Sequence, residues 1–146
     1  QAKQPDVAIY VFGEAPYAEM QGDLDAQGRL GSVNLMFEAS FKDALLDLEA
    51  IKQLGIPVVG VFISGRPLVI NQEMAFMDAL VAAWLPGSEG DGIAEVLFKN
   101  TKGEINYDFK GKLSFSWPKE PAQDVLNVGG SNYDPLFPLG YGLTYQ

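Results

Sequence analysis

Residues 6–23 read DVAIYVFGEAPYAEMQGD, a stretch that predicts both the class of the fold and the place of its chemistry. The first half is a short, β-rich apolar run that ends at Gly13, as is typical of a strand buried in a parallel sheet. Three carboxylates, a tyrosine and a proline follow in the loop. Open parallel α/β sheets bind ligands beyond the carboxyl ends of their strands, so this loop is the first candidate for a functional site. The alternative is an ordinary polar connection, and composition does not separate the two.

Similar apolar runs predict further strands at residues 56–64 and 78–85. The latter run is rich in alanine, so helix and strand compete there, and strand is favoured because Pro86 and Gly87 end the run sharply. Helices are predicted at residues 38–54, 71–77 and 90–98. We therefore predict an α/β fold, a three-layer sandwich with a mostly parallel sheet flanked by helices, in one domain at residues 1–146.

Single residues predict where these helices begin and end. Ser40, Asn71 and Ser88 are candidate N-caps, the last with Asp91 three residues further on. Gly55 is the expected C-terminal stop of the first helix.

The last third of the chain has a different character. It predicts a hairpin around residues 102–103, a half-exposed strand at residues 112–117 and an extended tail at residues 120–146. The tail is expected to lie on the body of the domain. The residues expected to hold it there are Tyr133, Leu136, Phe137, Tyr141 and Tyr145.

Composition restricts the chemistry and the partners. The net charge is −9, which opposes binding to nucleic acid or to an anionic membrane surface, because both need clustered positive charge. Cysteine and histidine are absent, which excludes thiol nucleophiles and Ser-His pairs within the chain and argues against a transition metal. We expect no metal and no cofactor. Carboxylates are then the first candidates for acid–base work.

The loop after the first strand holds the acidic residues Glu14, Glu19 and Asp23. A carboxyl that donates a proton near neutral pH needs a raised pKa, which apolar burial or another negative charge provides. Tyr17 and Met20 are near enough in sequence to supply burial. Glu14 sits nearest the strand end and is favoured for a structural role, whereas Glu19 lies farther out and is better placed to reach a ligand.

The turn after the second strand, residues 64–67, contains Arg66. Arg66 either binds an anion or, as we favour, pairs with one of the loop acids and orders the loops. Residues 86–90 resemble a phosphate-binding turn before a helix, but they lack Gly-rich or Walker spacing and include an acid. Trp84 and Trp117 are interpreted as packing residues rather than as platforms for a sugar.

Five stretches taken together carry a resemblance to a known family. They are VFGEAPYAE at residues 11–19, SGRPL at 64–68, LVAAWLPGSEG at 80–90, LSFSWP at 113–118 and PLFPLGYGL at 135–143. In this order they resemble the second, α/β-sandwich domain of glycoside hydrolase family 3, in the branch of bacterial and plant exo-β-glucanases and β-glucosidases. The resemblance covers nearly the whole chain, and the combination is specific although each piece alone is not.

The resemblance implies an activity shared between two domains. In the family a preceding (β/α)8 barrel supplies an Asp nucleophile, and the second domain supplies the general acid/base, a Glu in a loop after a strand. The Pro-Tyr-x-Glu pattern assigns that role to Glu19, with Glu14 as the alternative. The implied reaction is retaining hydrolysis of β-1,3 or β-1,4 bonds from the non-reducing end of a β-glucan or gluco-oligosaccharide, by a periplasmic or extracellular enzyme. It identifies no substrate-binding residue in this chain.

The chain departs from the family pattern in two respects. It carries no barrel, hence no nucleophile, so the isolated chain is expected to be inactive. It is also expected to begin inside the second domain, truncated at its N-terminal β-α-β portion, which would leave a sheet edge uncovered. Two alternatives stay open: a non-catalytic carbohydrate-binding or interaction module, favoured by the missing barrel and the aromatic tail, and a flavodoxin-like nucleotide binder, suggested only by the parallel-sheet pattern.

Overall fold

A parallel sheet of three strands lies at the centre of the chain. A computed structural model describes residues 3–17, 22, 35–36 and 42–145. The strands are β1 (Ala8–Gly13), β2 (Val58–Ile63) and β3 (Ala79–Trp84), in this spatial order. The helices are α1 (Lys42–Lys52), α2 (Asn71–Met74) and α3 (Asp91–Leu97), and a 3-10 turn spans Gly87–Glu89. The predicted α/β fold with a parallel sheet and helices is confirmed.

Side chains on one face of the sheet form the hydrophobic core. The rings of Tyr10 and Phe12, two residues apart on β1, stack with centroids 5.8 Å apart, and the Phe12 ring lies 5.1 Å from that of Phe62 on β2. Ala44 of α1 packs into this cluster, and Leu48, one turn later, is fully buried. Right-handed crossovers that add strands in one direction fall on one face of a sheet, which explains why α1 and α2 contact each other.

Trp117 attaches the last third of the chain to this core. It is 1% exposed, its ring lies 6.2 Å from that of Phe62, and its indole N–H donates to the carbonyl oxygen of Leu68 at 2.8 Å. Its backbone forms an isolated antiparallel bridge with Phe137. The Phe137 ring in turn stacks on Tyr141 with centroids 4.7 Å apart. The expectation that the tail lies on the body is therefore confirmed.

The strand predicted at residues 112–117 is wrong. Leu113 exchanges backbone hydrogen bonds with Gly140 and Tyr141, and Trp117 exchanges them with Leu136 and Phe137. Pro138 lies between these two contacts and has no N–H to donate, so the ladder is interrupted and no regular strand forms.

Two predicted caps are also wrong. Asn71 is the first residue of α2 rather than its cap, and its amide donates to the carbonyl of Lys119 at 2.9 Å. Ser88 lies inside the 3-10 turn, and Gly90 is the N-cap of α3. Ser40 lies outside the described residues. The stop at Gly55 is confirmed by its left-handed φ of 70° and by its N–H, which donates to a carbonyl of the last turn of α1.

The outer face of β1 carries apolar side chains that the described chain leaves exposed. Ile9 is 38% exposed and Val11 is 61% exposed, whereas Val61, the register partner of Val11 on β2, is 1% exposed. Among the residues described, no strand pairs with the free edge of β1. None of the helices in this part of the chain is long and apolar enough to cross a membrane.

Candidate active site

The acidic side chain of Glu14 and the basic side chain of Arg66 meet at the carboxyl ends of β1 and β2. The register pairs Gly13 with Ile63, so the residues that follow each strand lie side by side. A Cβ on Gly13 would collide with the carbonyl oxygen of Ile63, so only glycine permits this close approach. The Glu14 N–H donates to the same carbonyl at 3.0 Å, which fixes the start of the loop.

Glu14 forms an ion pair with Arg66 across this edge. Its Oε1 accepts from both Nε and Nη2 of Arg66 at 2.9 Å, and its Oε2 accepts from the hydroxyl of Ser64 at 2.5 Å. The side chains of Arg66 and Glu14 are only 18% and 12% exposed. Both carboxylate oxygens are thus engaged internally, as the structural interpretation of Glu14 requires. The predicted pairing of Arg66 with a loop acid is confirmed.

Arg66 makes two further contacts with the loop after β1. Its guanidinium carbon lies 4.3 Å from the centroid of the Tyr17 ring, a cation–π arrangement. Its Nη1 donates to the backbone carbonyl of Gly22. One guanidinium therefore touches the loop at three points, at Glu14, at Tyr17 and at Gly22. Two of these points stand on either side of residues 18–21.

Tyr17 is held by small residues around its ring. A Cβ on Gly22 would fall inside the Tyr17 ring, and a Cβ on Gly65 would lie 3.3 Å from the Tyr17 hydroxyl and 3.2 Å from Leu85 Cδ1. The ring is therefore packed between the far end of its own loop and the turn after β2. Tyr17 is still 46% exposed, so the same ring faces solvent at this edge of the sheet.

Trp84 ends β3 in an unusual conformation. Its φ is 55°, a left-handed value that a bulky residue adopts at a cost of about 1–3 kcal/mol. Its carbonyl accepts the N–H of Ser64 at 3.1 Å, and its ring packs against Trp117 and Phe115 at centroid distances of 5.7 and 5.4 Å. The interpretation of Trp84 and Trp117 as packing residues is confirmed. The left-handed Trp84 ends β3 next to Ser64.

The structure brings some of the predicted site residues together and leaves others undescribed. Glu14 and Arg66 meet, and the sequence indicated their turn and loop correctly. Glu19 and Asp23 lie outside the described residues. The roles of Ser64 and Tyr17 were missed, although the polar Ser-Gly-Arg signal at a strand end pointed to the first of them. Within the described ranges, no three acidic side chains come close enough to hold a metal ion.

A parallel sheet with helices defines the class of this protein as an α/β domain, and open sheets of this class bind ligands beyond the carboxyl ends of their strands. The model of the glycosyl hydrolase family 3 C-terminal domain matches residues 1–145, and the chain belongs to this family.

Curated relatives agree with this assignment. The chain is 34% identical over 166 residues to a periplasmic beta-glucosidase of Salmonella typhimurium, a match that covers 99% of this chain and 20% of that protein. It is 35% identical over 113 residues to a beta-xylosidase of Formosa agariphila, covering 67% of this chain and 15% of the relative. The chain therefore spans about a fifth or less of the length of these glycoside hydrolases.

Solved structures agree with it as well. The exo-1,3/1,4-beta-glucanase of a Pseudoalteromonas species matches 100% of this chain at 52% identity and a TM-score of 0.87, and the match covers 17% of that protein. The beta-glucosidase of Listeria innocua matches 96% of this chain at 28% identity and a TM-score of 0.66, over 20% of its own length.

Proposed function

We propose that this chain contributes the general acid/base of a retaining β-glucosidase or exo-β-glucanase, and that Glu19 is that residue. A (β/α)8 barrel is its partner and supplies the nucleophile. A protein that joins such a barrel to this chain is called the barrel-containing enzyme below. The observation that carries the assignment is the internal engagement of Glu14 by Arg66 and Ser64. Glu14 is committed to holding the loop, which leaves Glu19 of the Pro-Tyr-x-Glu pattern for chemistry.

The chemistry requires two carboxyl groups with different tasks. One carboxylate attacks the anomeric carbon while the second, protonated carboxyl group donates its proton to the oxygen of the departing sugar. The glycosidic bond therefore breaks without release of an alkoxide. The same residue then removes a proton from water, which displaces the first carboxylate and restores both groups. Carboxyls about 5–5.5 Å apart give retention of configuration. Glu19 takes the second role, and an Asp of the barrel takes the first.

Gluco-oligosaccharides or β-glucans are the proposed substrates, cleaved at β-1,3 or β-1,4 bonds from the non-reducing end. Support comes from the identity of 52% to the exo-1,3/1,4-beta-glucanase across the whole chain. Similarity to the beta-xylosidase reaches 35% over two thirds of the chain, so a xyloside is the second candidate. Comparing kcat/KM for matched aryl β-glucosides and β-xylosides decides between them. A preference for the xyloside would reject the glucoside assignment.

The exposed face of β1 and the location of one relative give further support. The exposed Ile9 and Val11 form an apolar face on a strand whose neighbour is buried, which suits coverage by another part of a larger enzyme. A periplasmic relative supports placement of the protein in the periplasm or outside the cell.

The role of Glu19 is tested by its dependence on the leaving group. In the barrel-containing enzyme, Glu19→Gln should lower kcat/KM by about 100-fold or more for phenyl glucoside, which needs proton donation, and far less for dinitrophenyl glucoside. Equal losses on both substrates would remove Glu19 from the acid role. The isolated chain should show no turnover. If the isolated chain binds gluco-oligosaccharide and Glu19→Gln has no effect in the barrel-containing enzyme, a non-catalytic binding module would be favoured instead.

A further inference from the structure

We propose that Arg66 is a positioning residue for the acid/base, acting as a clamp formed with Glu14, Tyr17 and Gly22. This inference rests on the proposed function of Glu19. The inference goes beyond that function by naming a residue in the turn after β2, outside the loop of Glu19, that sets the geometry of that loop. The clamp is defined by the contacts of one guanidinium group, which are the ion pair with Glu14, the stack on Tyr17 and the hydrogen bond to the Gly22 carbonyl.

The clamp is anchored next to the central strand of the sheet. Arg66 lies in the turn after β2, the central strand, and its backbone N–H donates to the Ser64 hydroxyl oxygen at 3.2 Å. Ser64 is 1% exposed, and it also contacts the carboxylate of Glu14. The backbone of Arg66 is thus held at the end of the central strand, outside the loop that its guanidinium group contacts. A functional side chain on a loop is positioned precisely only when residues on the helices and strands of the fold support the loop.

The contacts bracket the segment that contains Glu19. Tyr17 precedes Glu19 by two residues and Gly22 follows it by three, and both touch the same guanidinium group. Arg66 therefore holds one described residue on each side of Glu19 in the sequence. General acid catalysis depends on this kind of restraint, because a misplacement of about 1 Å can cost about 100-fold in rate.

Only arginine can make this set of contacts at once. Its planar group presents five N–H donors in a fixed fork and a flat face that stacks on aromatic rings. Here Nε and Nη2 face Glu14, Nη1 faces Gly22, and the guanidinium carbon lies over the Tyr17 ring. A lysine at the same position keeps the charge but cannot fill both hydrogen-bonding directions and the stack together.

The ion pair also makes the clamp electrically neutral. An uncompensated cation beside the loop would favour the ionised form of a nearby carboxyl and oppose proton donation. Glu14 balances the charge of Arg66 at 2.9 Å. The pair thus holds Tyr17 and Gly22 without adding a net charge to this edge of the sheet.

The test uses Arg66→Lys and Arg66→Met in the barrel-containing enzyme, with kcat/KM measured for a series of aryl glucosides of different leaving-group pKa. We expect the Lys variant to lose about tenfold or more on phenyl glucoside and less than about threefold on dinitrophenyl glucoside. The Met variant should show the larger losses. A role in folding alone would lower all substrates by one common factor and leave the slope against leaving-group pKa unchanged, and that result would overturn the proposal.

A control variant and a second clamp variant separate the positioning role of Arg66 from a general loss of activity. Lys52→Met removes another basic partner with a 2.9 Å ion pair, to Asp78, at the opposite end of the same sheet, and it should leave the slope unchanged. Tyr17→Leu removes the aromatic ring that faces Arg66 and should steepen the slope as Arg66→Lys does. Should Arg66→Met not fold, Arg66→Lys and Tyr17→Leu still decide.

Glu19→Gln measured in parallel separates the two proposals. A steeper slope for Glu19→Gln with parent-like slopes for the Arg66 variants rejects the clamp and keeps the acid/base assignment. A parent-like slope for Glu19→Gln rejects the acid/base assignment itself. Steeper slopes for both confirm the clamp and the residue that it positions.

Discussion

The indole N–H of Trp117 donates to the carbonyl oxygen of Leu68 at 2.8 Å inside the core. This bond joins the last third of the chain to the segment that follows the Arg66 turn. Since Trp117 also packs against Phe62 and Trp84, one side chain links the tail, the central strand and the bend at the end of β3. The site edge and the tail therefore share a single support.

Trp117→Phe should lower the free energy of unfolding by about 2–3 kcal/mol, because it removes buried volume and leaves the Leu68 carbonyl without its donor. Denaturant unfolding of the parent and the variant measures this difference. Tyr107→Phe is the control, since Tyr107 is 56% exposed and its change should stay within about 0.5 kcal/mol. A loss for Trp117→Phe no greater than that of the control would contradict the role of Trp117 as a support.

Gly13→Ala should destabilise the protein by about 1–3 kcal/mol, because its methyl group would collide with the Ile63 backbone, which cannot move without breaking the register of β1 and β2. Thermal or denaturant unfolding measures the effect. Gly92→Ala is the matched control: a Cβ there meets open space, and alanine in α3 should be neutral or stabilising by up to about 1 kcal/mol. Equal effects of the two substitutions would show that the close approach at Gly13 does not matter.

Tyr10 predicts a loss of stability at alkaline pH. Burial first, and then the hydrogen bond to Asp47 at 3.0 Å, raise the pKa of Tyr10 to about 12, whereas an unfolded tyrosine has a pKa of about 10. Between these values the unfolded chain loses the proton and the folded chain keeps it, so the free energy of unfolding falls as pH rises from about 10 to about 12. Tyr10→Phe should lack this part of the decline in denaturant titrations, and parallel curves for parent and variant would disprove the assignment.

Asp78 predicts the opposite dependence at acidic pH. Its carboxylate accepts the Val58 N–H at 2.8 Å and contacts Lys52, and these two partners, in that order, lower the pKa of Asp78 below its ordinary value. The stabilisation is present above about pH 4 and is lost as pH falls through the lowered pKa. Asp78→Asn should therefore be less stable than the parent at neutral pH, with a deficit that shrinks on acidification.

The control for that experiment is Asp6→Asn, because Asp6 is 86% exposed in its contact with Lys3 and should show no such trend. A deficit for Asp78→Asn that stays constant from neutral to acidic pH would mean that the charge of Asp78 does not contribute.

The three strands were predictable because each is an apolar run closed by Gly, Pro or Ser. At these runs the local pattern and the tertiary packing favour the same structure. The short elements were not. Ser88 was expected to cap a helix, yet the chain enters a 3-10 turn after the left-handed Trp84, a conformation that no local pattern indicates. The strand expected at residues 112–117 failed because its partner contains Pro138.

The site was predictable in part. The pairing of Arg66 with an acid follows from opposite charges at the ends of two neighbouring strands. Which acid, and through which atoms, depends on the register of Gly13 with Ile63, and 50 residues of sequence separate Glu14 from Ser64. The contacts of Arg66 with Tyr17 and Gly22 likewise depend on this register, which brings the turn after β2 beside the residues that follow β1.

The acid/base role that we propose for Glu19 requires its carboxylate to lie on the face of the sugar from which the proton is given and the water arrives. Removing a carboxylate in that role opens space and removes negative charge there, so azide could attack the glycosyl-enzyme intermediate in place of water. The most direct measurement is product analysis of Glu19→Ala in the barrel-containing enzyme with dinitrophenyl β-glucoside and azide. We expect β-glucosyl azide from Glu19→Ala and none from Glu14→Ala; no azide product from Glu19→Ala, or the same product from Glu14→Ala alone, would rule out Glu19 as the acid/base.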